Sequence, residues 1–473
     1  MPAALRHHCP EGASMMAHCA LPSIRGIHAI PPGHRRKPIQ INQYIMYNIA
    51  RYLGMGGIGL LGACAVYNSR PIDLETETSQ WEQTSRSIGN QPVNMHQARQ
   101  IGLTLNPELN KARLKLANSS NAAIQAGWWN DPSFSWDVQQ VLNANHANMA
   151  GDLSFTIPVT GLPALARKVA EQYKEADFWA LRQKEQEFLT SLDQAWSELS
   201  MSKLRQSLIR ERLQAMQSEA DKIEKLVNAG EADFATRQLA AQRFNDATRE
   251  LQTVTEAEQE QKLALLQLMG LHATALNTLN FINDQNFSIP AAVSAPSPAA
   301  LAAAPGIKAQ LASYATTETL LKTEIRKQYP ELRLGPSFTR DDGENELGPT
   351  FGFDIPLWNR NRKAIAESGG ARDSARLETV QAWRASLFKA EELAANQKLV
   401  TAHCRAEQQR MNTFAASVQT MEKLYALGES TLPEVAEARH QLYESRLAFL
   451  NSLGKLHSIQ AQLRHLASTD IQP

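Results

Sequence analysis

The sequence has no apolar run long enough to cross a lipid bilayer as an α-helix. Its longest such run, Leu53–Val66, has 14 residues, whereas a membrane-spanning helix needs about 20 residues. It also has no excess of charge of either sign, because Lys and Arg together number 48 and so do Asp and Glu. These absences exclude a helical membrane protein and argue against a protein that binds nucleic acid.

Cysteines, aromatic residues and catalytic motifs are also scarce. The chain has 4 cysteines in 473 residues and 7% aromatic residues, while 43% of its residues are hydrophobic and 20% are charged. It contains no Walker loop, no HExxH motif and no Cys-x-x-Cys motif, and its histidines beyond the N-terminal region lack ligand spacing. We therefore expect a folded protein that is not an enzyme and that holds no metal and no cofactor.

The N-terminal region has the layout of a bacterial lipoprotein signal. Residues 46–63 contain one basic residue, Arg51, followed by the apolar stretch Tyr52–Ala63, which is the pattern of a signal peptide. The stretch continues into Leu-Gly-Ala-Cys, which ends at Cys64 and resembles the lipobox, in which the cysteine is acylated and becomes the mature N-terminus. A buried cysteine in a glycine-rich core segment is the alternative interpretation.

Cleavage before Cys64 would discard everything upstream. Residues 1–45 hold 5 of the 12 histidines and 2 of the 4 cysteines; we interpret them as sequence absent from the mature protein, and a metal-binding arm is the alternative. After cleavage Cys64 would carry lipid and only Cys404 would remain, so no internal disulfide could form. Ala65 rather than Asp follows the cysteine, which by resemblance implies sorting to the outer membrane.

The body of the chain is a duplicated unit. An ungapped offset of 198 residues places the octapeptide that starts at Glu224 on the one that starts at Glu422, with 5 of 8 residues identical. The same offset pairs Pro107 with Pro305. Only two copies are present, so the pattern indicates a duplication rather than a solenoid.

Each copy predicts the same order of elements. A helix follows the proline, over Pro107–Ala126 and Pro305–Lys327, and two short segments with alternating aromatic and polar residues then predict a pair of strands. Polar links that contain glycine, Asn143–Asp152 and Asp341–Glu346, are expected to join the strands of each pair. A long stretch without a proline in its interior follows, over Leu162–Ala229 and Arg360–Leu427. A helix of that length is about 100 Å long and needs a packing partner along its length.

Both long helices are expected to end in a tight hairpin. Gly230 and Gly428 occupy the position where a helix C-cap favours a left-handed residue. Asp233 and Thr431 follow three residues later and can cap a return helix. The return helices should extend to about Gly270 and Leu466, and their apolar stripes indicate packing on the long helices.

Four strands in one chain cannot close a barrel, and open edges in lipid leave backbone groups unpaired. Closure therefore requires other copies of the chain, and three copies supply twelve strands. We thus predict a mainly α fold with a small β part. Each chain would contribute two long helical hairpins and four transmembrane strands to a trimeric, twelve-stranded barrel.

This organisation is similar to the TolC family of outer-membrane factors. The residues that carry the likeness are Asn130-Asp131-Pro132 before the first strand, Ile157-Pro158 and Ile355-Pro356 before the long helices, and the Gly-Glu turns at Gly230 and Gly428. The likeness covers about residues 90 to 466. Copy one departs from the pattern at Thr160-Gly161-Leu162-Pro163, which leaves the start of its long helix uncertain.

The resemblance implies a passive trimeric conduit that exports solutes across the outer membrane. Its partners would be a periplasmic adaptor, an inner-membrane pump and outer-membrane lipid. The protein would lie in the outer membrane, anchored by lipid, with a long periplasmic part. The adaptor-docking residues at the hairpin tips would be Leu226, Gly230, Glu231, Leu424, Gly428 and Glu429. Glu224 and Glu422 are candidates for an acidic entrance ring, and solvated helix ends are the alternative.

The expected domain boundaries follow from the repeat. They are 1–45 extension, 46–63 signal, 64–90 linker, 91–282 first repeat, 283–304 Pro/Ala-rich linker, 305–466 second repeat and 467–473 tail. The rival hypothesis is a lipid-anchored periplasmic coiled-coil adaptor or tether, which does not explain two aromatic strand pairs at matching positions. The sequence leaves open whether the exported solute is a metal ion, a drug, a solvent or a peptide.

Overall fold

The computed structural model of the chain describes residues 67–88, 92–140, 147–282 and 287–468. From Asp73 onward these residues form one compact unit. Cys64 and the expected signal lie outside the described residues.

The unit is built mainly from helices. In chain order they are α1 (Leu74–Ile88), α2 (Met95–Leu105), α3 (Pro107–Gln125), α4 (Leu162–Asn228), α5 (Phe234–Met269), α6 (Pro298–Ala303), α7 (Pro305–Arg326), α8 (Arg362–Ala426) and α9 (Leu432–His465). The strands are β1 (Pro92–Val93), β2 (Ser133–Gln140), β3 (Ala147–Ile157), β4 (Asn280–Phe281), β5 (Leu332–Asp341) and β6 (Glu344–Phe353).

The element order confirms the duplicated unit expected from the sequence. The helix, strand pair, long helix and return helix of the first copy are α3, β2–β3, α4 and α5, and those of the second are α7, β5–β6, α8 and α9. Both return helices begin with the expected caps. The Asp233 side chain accepts the backbone N–H of Thr236, and Thr431 and Glu434 form a capping box.

The two long helices have 67 and 65 residues, which corresponds to about 100 Å each. Such a helix is stable only where it packs along its length. α4 packs against α3, α5, α7 and α9, and α8 packs against α7 and α9. No helix within the described ranges is both long and apolar enough to span a membrane.

Two apolar clusters hold these helices together. The first surrounds Trp196 and Phe188 of α4 and takes in the short parallel pair β1–β4 through Val93 and Phe281. The second joins α4, α8 and α9 through Ile209, Cys404, Phe449 and other side chains. The two clusters lie next to each other along α4, so the middle of that helix carries most of the buried apolar surface.

Both segments expected to be linkers contain a packed helix. α1 lies in 64–90, where Trp81 Nε1 donates to the Gly270 carbonyl oxygen at 2.8 Å. α6 lies in 283–304, where Ser297 caps it and Leu301 is buried. These described residues are therefore not open chain. Asp73 accepts the backbone N–H of Glu75 at the start of α1, and a proline in the first turn favours the start of α6.

Two predicted loops are also shorter than expected. Residues 147–152 belong to β3, although the sequence placed them in a polar link over 143–152. In the second copy the link over 341–346 is reduced to a turn at Asp342 and Gly343, both with positive φ. The polar residues that suggested loops are instead the polar face of the strands.

Candidate functional site

The larger sheet has the order β2–β3–β5–β6, with every neighbouring pair antiparallel. It joins the strand pairs of the two copies through β3 and β5, so the duplication produces one sheet rather than two hairpins. β2 and β6 are its edges, and neither has a second partner within the described part of the chain.

One face of this sheet is apolar except at the end near the β5–β6 turn, where Gln140, Arg340 and Asn345 lie on it. The register places Phe134, Trp136, Val138, Met149, Gly151, Leu153, Phe155, Ile157, Leu332, Leu334, Pro336, Phe338, Leu347, Pro349, Phe351 and Phe353 on the same side. None of the helices in the described residues covers this face: Phe134 is 70% exposed and Leu347 is 82% exposed. An apolar surface of this size marks contact with a membrane or another protein.

The opposite face is polar. It presents Ser133, Ser135, Asp137, Gln139, Asn148, Asp152, Ser154, Thr156, Arg333, Ser337, Thr339, Asp341, Glu344, Glu346 and Thr350, together with small residues. This separation is the alternation typical of strands between lipid and water.

Two prolines face each other in the middle of the sheet. Pro336 of β5 is paired with Pro349 of β6, and the pairing of β3 with β5 is interrupted at the same level, between Asp152 and Phe155. Proline has no N–H to donate, so this pair cannot belong to the hydrogen-bonded rungs. Gly335, which precedes Pro336, has no side chain, so the backbone of Leu153 in β3 can approach β5 closely at this level.

Aromatic side chains also gather where the strands meet the helices. Trp128 and Trp129 precede β2, Tyr329 precedes β5 and Trp358 follows β6, and all four are exposed, Trp358 by 90%. Amphipathic rings favour the headgroup level of a bilayer.

The two hairpin tips have the same backbone geometry. Gly230 and Gly428 have φ of 76° and 77°. The N–H of Glu231 donates to the Leu226 carbonyl oxygen at 2.8 Å, and the N–H of Glu429 donates to that of Leu424 at 2.9 Å. The glycines and both glutamates are exposed, and the two leucines are half-buried. All six residues expected at the adaptor-docking ends are thus grouped at the tips.

The two candidates for the acidic entrance differ in their surroundings. Glu224 is exposed near the end of α4. Glu422, its counterpart on α8, forms an ion pair with Arg439 of α9 at 2.6 Å. The charge of Glu422 is therefore offset within the hairpin, and the two glutamates are not equivalent as entrance groups.

A cavity of about 610 Å³ lies between the two hairpins above the tips. On its wall the Arg212 guanidinium stacks over the Tyr443 ring at 4.1 Å and pairs with Glu250 at 3.2 Å. The Tyr443 hydroxyl donates to the same carboxylate. Burial and the Glu250 carboxylate raise the pKa of Tyr443, so the phenol stays protonated and the network joins hairpin one to α9.

Glu219 of α4 also lines this cavity. Burial raises the pKa of Glu219, although Arg439, Arg243 and Lys222 act in the opposite direction. The sequence gave no sign of these contacts around Arg212 and Glu219, because the residues come from three helices, α4, α5 and α9, that only the tertiary fold brings together.

Within the described ranges, no group of three or more His, Cys, Asp or Glu side chains lies close enough together to hold a metal ion. Cys404 is buried, and burial raises the pKa of its thiol. A high thiol pKa disfavours the reactive thiolate, so this cysteine has the properties of a core residue.

The second copy matches a known protein family. Residues 297–469 fit the family described as outer membrane efflux protein. No curated protein sequence matches the chain.

Solved structures with the same fold cover most of the chain. VceC, an outer membrane protein of Vibrio cholerae, is 16% identical, with a TM-score of 0.67 over 82% of this chain and 98% of its own. The Campylobacter jejuni CmeC outer membrane channel is 13% identical, with a TM-score of 0.66 over 86% and 90%. The open MtrE channel of Neisseria gonorrhoeae is also 13% identical, with a TM-score of 0.65 over 80% and 91%.

The motifs at the strand–helix junctions and at the glycine turns, the duplicated hairpins and the two-faced sheet all agree with these comparisons. The likeness inferred from the sequence is therefore confirmed. Over residues 297–469 the chain matches the outer membrane efflux protein family, and across its described length it has the fold of the TolC-family outer-membrane channels.

Proposed function

We propose that this chain is one subunit of a trimeric outer-membrane conduit that exports solutes delivered by an inner-membrane pump through a periplasmic adaptor. The observation that carries the proposal is the four-stranded sheet with one exposed apolar face, one polar face and two unpaired edges. A sheet of this kind is stable in lipid only when its edges are closed. The tether hypothesis gives the apolar face no role.

The strand directions allow closure by copies of the same chain. Because each neighbouring pair is antiparallel, β2 and β6 also run in opposite directions. The β6 edge of one copy can therefore pair with the β2 edge of the next as a further antiparallel rung. Three copies give twelve strands, an even number as in bacterial outer-membrane barrels.

Cysteines placed on the two edges test this closure. We expect Ser135→Cys in β2 combined with Gly348→Cys, Thr350→Cys or Gly352→Cys in β6 to yield disulfide-linked dimers and trimers in outer-membrane fractions. All four positions lie on the polar face, so pairs at matching heights would meet. Three partner positions are included because the register between copies sets which pair comes within about 6 Å between Cα atoms. Non-reducing gel electrophoresis measures the products.

The control pair is Ser154→Cys with Thr350→Cys. Ser154 lies in β3, which already has partners on both sides, so this pair should give no cross-linked trimer. Cys404 is buried and contributes no background. Monomers alone in every edge pair, or equal cross-linking in the control, would contradict the trimeric barrel.

The proposed subunit is anchored by lipid on Cys64. Support for the anchor comes from the apolar stretch Tyr52–Ala63 and from the Leu-Gly-Ala-Cys sequence that ends at Cys64.

Labelled palmitate tests the anchor. We expect it to be incorporated into the wild-type protein and not into Cys64→Ser, because the thiol is the acylated group in a lipobox. The matched control is Cys404→Ser, which keeps Cys64 and should label like the wild type. Equal labelling of the wild type and Cys64→Ser would remove the lipobox assignment but would leave the channel proposal intact.

The hairpin tips are the proposed adaptor-docking ends. Support comes from their shared geometry and from the exposure of Gly230, Glu231, Gly428 and Glu429. Leu427 adds an apolar side chain that is 73% exposed at the second tip. The chain performs no chemistry in this scheme, because the pump supplies the energy of transport.

A further inference from the structure

A second cavity lies between the two hairpins, farther from the tips than the first. Its volume is about 710 Å³, and pockets that hold small molecules measure roughly 300–1,000 Å³. The helices α4, α5, α8 and α9 all contribute to its walls. Glu198, Asn451 and Lys455 line the cavity and are exposed, so a solute from the surrounding water can enter it.

The two cations that line this cavity have no carboxylate partner. Arg205 of α4 donates to the neutral Asn451 side chain of α9. Neither Arg205 nor Lys455 forms an ion pair with an acid of the described residues. Glu198 also lines the cavity and is paired with neither cation. Both cations therefore keep a positive charge that an occupant of the cavity can neutralise.

The first cavity, around Arg212, differs in this respect. Arg212 pairs with Glu250 at 3.2 Å. Arg439, which also lines that cavity, pairs with Glu422 at 2.6 Å. The charges of these arginines are already offset by acids of the same chain, so the cavity around Arg205 is the better site for an anion.

Two buried polar atoms of the cavity around Arg205 have no hydrogen-bond partner among the described residues. They are Arg205 Nε and Gln261 Oε1. Nearly all buried polar atoms in folded proteins are hydrogen-bonded, so atoms of this kind indicate a bound molecule. One atom is a donor and the other is an acceptor, and they lie on α4 and α5. A matching occupant must therefore offer both an acceptor and a donor.

We infer that the cavity around Arg205 is a binding site for a small organic oxyanion, a compound with a carboxylate or phosphate group and at least one hydroxyl or amide donor. Arg205 and Lys455 would hold the oxyanion, and the donor would bind Gln261 Oε1. The planar fork of N–H donors on a guanidinium matches the oxygens of a carboxylate or a phosphate.

The two cations can act on one oxyanion. Asn451 contacts Arg205 and lies one helical turn from Lys455, and Cβ atoms at this spacing are about 5–6 Å apart. An oxyanion bound by both cations would join α4 of the first hairpin to α9 of the second. Because a ligand that binds only the folded state stabilises it, occupancy should raise the melting temperature.

Isothermal titration calorimetry of the purified full-length protein in detergent tests the site with citrate, which carries carboxylates and a hydroxyl group. At constant ionic strength we expect a dissociation constant of about 1 mM or below. Arg205→Gln and Lys455→Gln should each weaken citrate binding about tenfold, because each removes a charge-assisted hydrogen bond. Inorganic phosphate, titrated separately, distinguishes the two classes of oxyanion.

The matched control is Arg210→Gln, which removes an exposed arginine of α4 that does not line the cavity and should bind citrate like the wild type. Lys455→Gln changes an exposed residue, so it should keep the wild-type melting temperature without ligand and lose the increase that citrate gives.

No binding of citrate or phosphate, or an affinity unchanged in both lining variants, overturns the inference. Binding of the cation spermidine but of neither anion also overturns it. The site lies within one chain and goes beyond the proposed conduit, so these results leave the conduit standing. Failure of the edge cross-links would contradict the conduit and leave this site standing.

Discussion

Replacing Asp193 with alanine should destabilise the protein by about 3–5 kcal/mol, since it leaves the partly buried Arg99 guanidinium without its counter-charge. The Asp193 carboxylate is 1% exposed and binds Arg99 of α2 at 2.6 Å and His465 of α9 at 2.9 Å. These partners are far apart in sequence, so the triad fastens an N-terminal helix and the C-terminal end of α9 to the middle of α4. Thermal and urea unfolding followed by far-UV circular dichroism would measure the loss.

An exposed ion pair provides the matched comparison. Glu82 and Arg86 lie one turn apart on α1, and their side chains are 34% and 65% exposed. Glu82→Ala should change the free energy of unfolding by less than about 1 kcal/mol, because solvent screens such pairs. If Asp193→Ala cost no more than Glu82→Ala, the triad would not be a structural clamp.

The Asp193 contribution should also depend on pH. Burial alone would raise the pKa of Asp193, but hydrogen bonds from His465 and Arg99 outweigh it and hold the pKa below its ordinary value of 3.8. A carboxyl with a lowered folded-state pKa stabilises the fold above its unfolded pKa. That contribution is lost as the pH falls through the folded-state value.

We therefore expect the difference in melting temperature between the wild type and Asp193→Asn to be constant from pH 7 down to about pH 5. It should shrink below about pH 4, because protonation of the wild-type carboxyl removes the charge that asparagine lacks. A difference that stayed constant to pH 3 would show that the ionised form of Asp193 is not the source of the stability.

Gly270→Ala should prevent normal folding or cost several kcal/mol, whereas Gly230→Ala should cost only about 1–2 kcal/mol. Both glycines end a helix with nearly the same left-handed backbone, φ 78° and 76°. A Cβ at Gly270 would lie 2.6 Å from the Leu105 carbonyl oxygen, but a Cβ at Gly230 would meet nothing within 4 Å. Comparing Gly270→Ala with Gly230→Ala therefore separates the cost of the left-handed backbone from the cost of the steric clash.

Expression level, trimer yield and urea midpoint of the two variants measure this difference. Gly428→Ala is a second control, because its φ is 77° and the space around it is also open. Equal effects at Gly270 and at the two tip glycines would mean that the approach of Leu105 is not rigid. A severe defect confined to Gly270 would identify the close contact between the end of α5 and the end of α2 as a fixed point of the fold.

Local chemistry made much of the helical part predictable. Proline at the first turn placed the starts of α3 and α7 at Pro107 and Pro305, and glycine at the left-handed position placed the ends of α4 and α8. These signals act within a few residues, so they do not depend on distant parts of the chain. The same reasoning failed at α1 and α6, where helix starts were taken for linkers because their surroundings were polar or proline-rich.

Of the candidate site, the hairpin tips could be predicted from the sequence more fully than the sheet. The hairpin tips follow from one glycine and its neighbours, and the repeat showed that they come in two equivalent copies. The strands were found from aromatic alternation, but residues 147–152 and 344–346 were assigned to loops, because polar residues on one face look like loop sequence until the other face is known. The negative polar face of the sheet was missed for that reason.

The sequence by itself determined the repeated order of elements, the two bent hairpins and the period-two pattern of the strands. The tertiary structure alone decided that β3 pairs with β5, which makes one sheet with an apolar and a polar face. It also decided that Asp193 meets Arg99 and His465, and that Arg212 meets Tyr443. Caps and periodicity are properties of neighbouring residues, whereas these contacts join residues 94 or more positions apart and arise only when the helices pack.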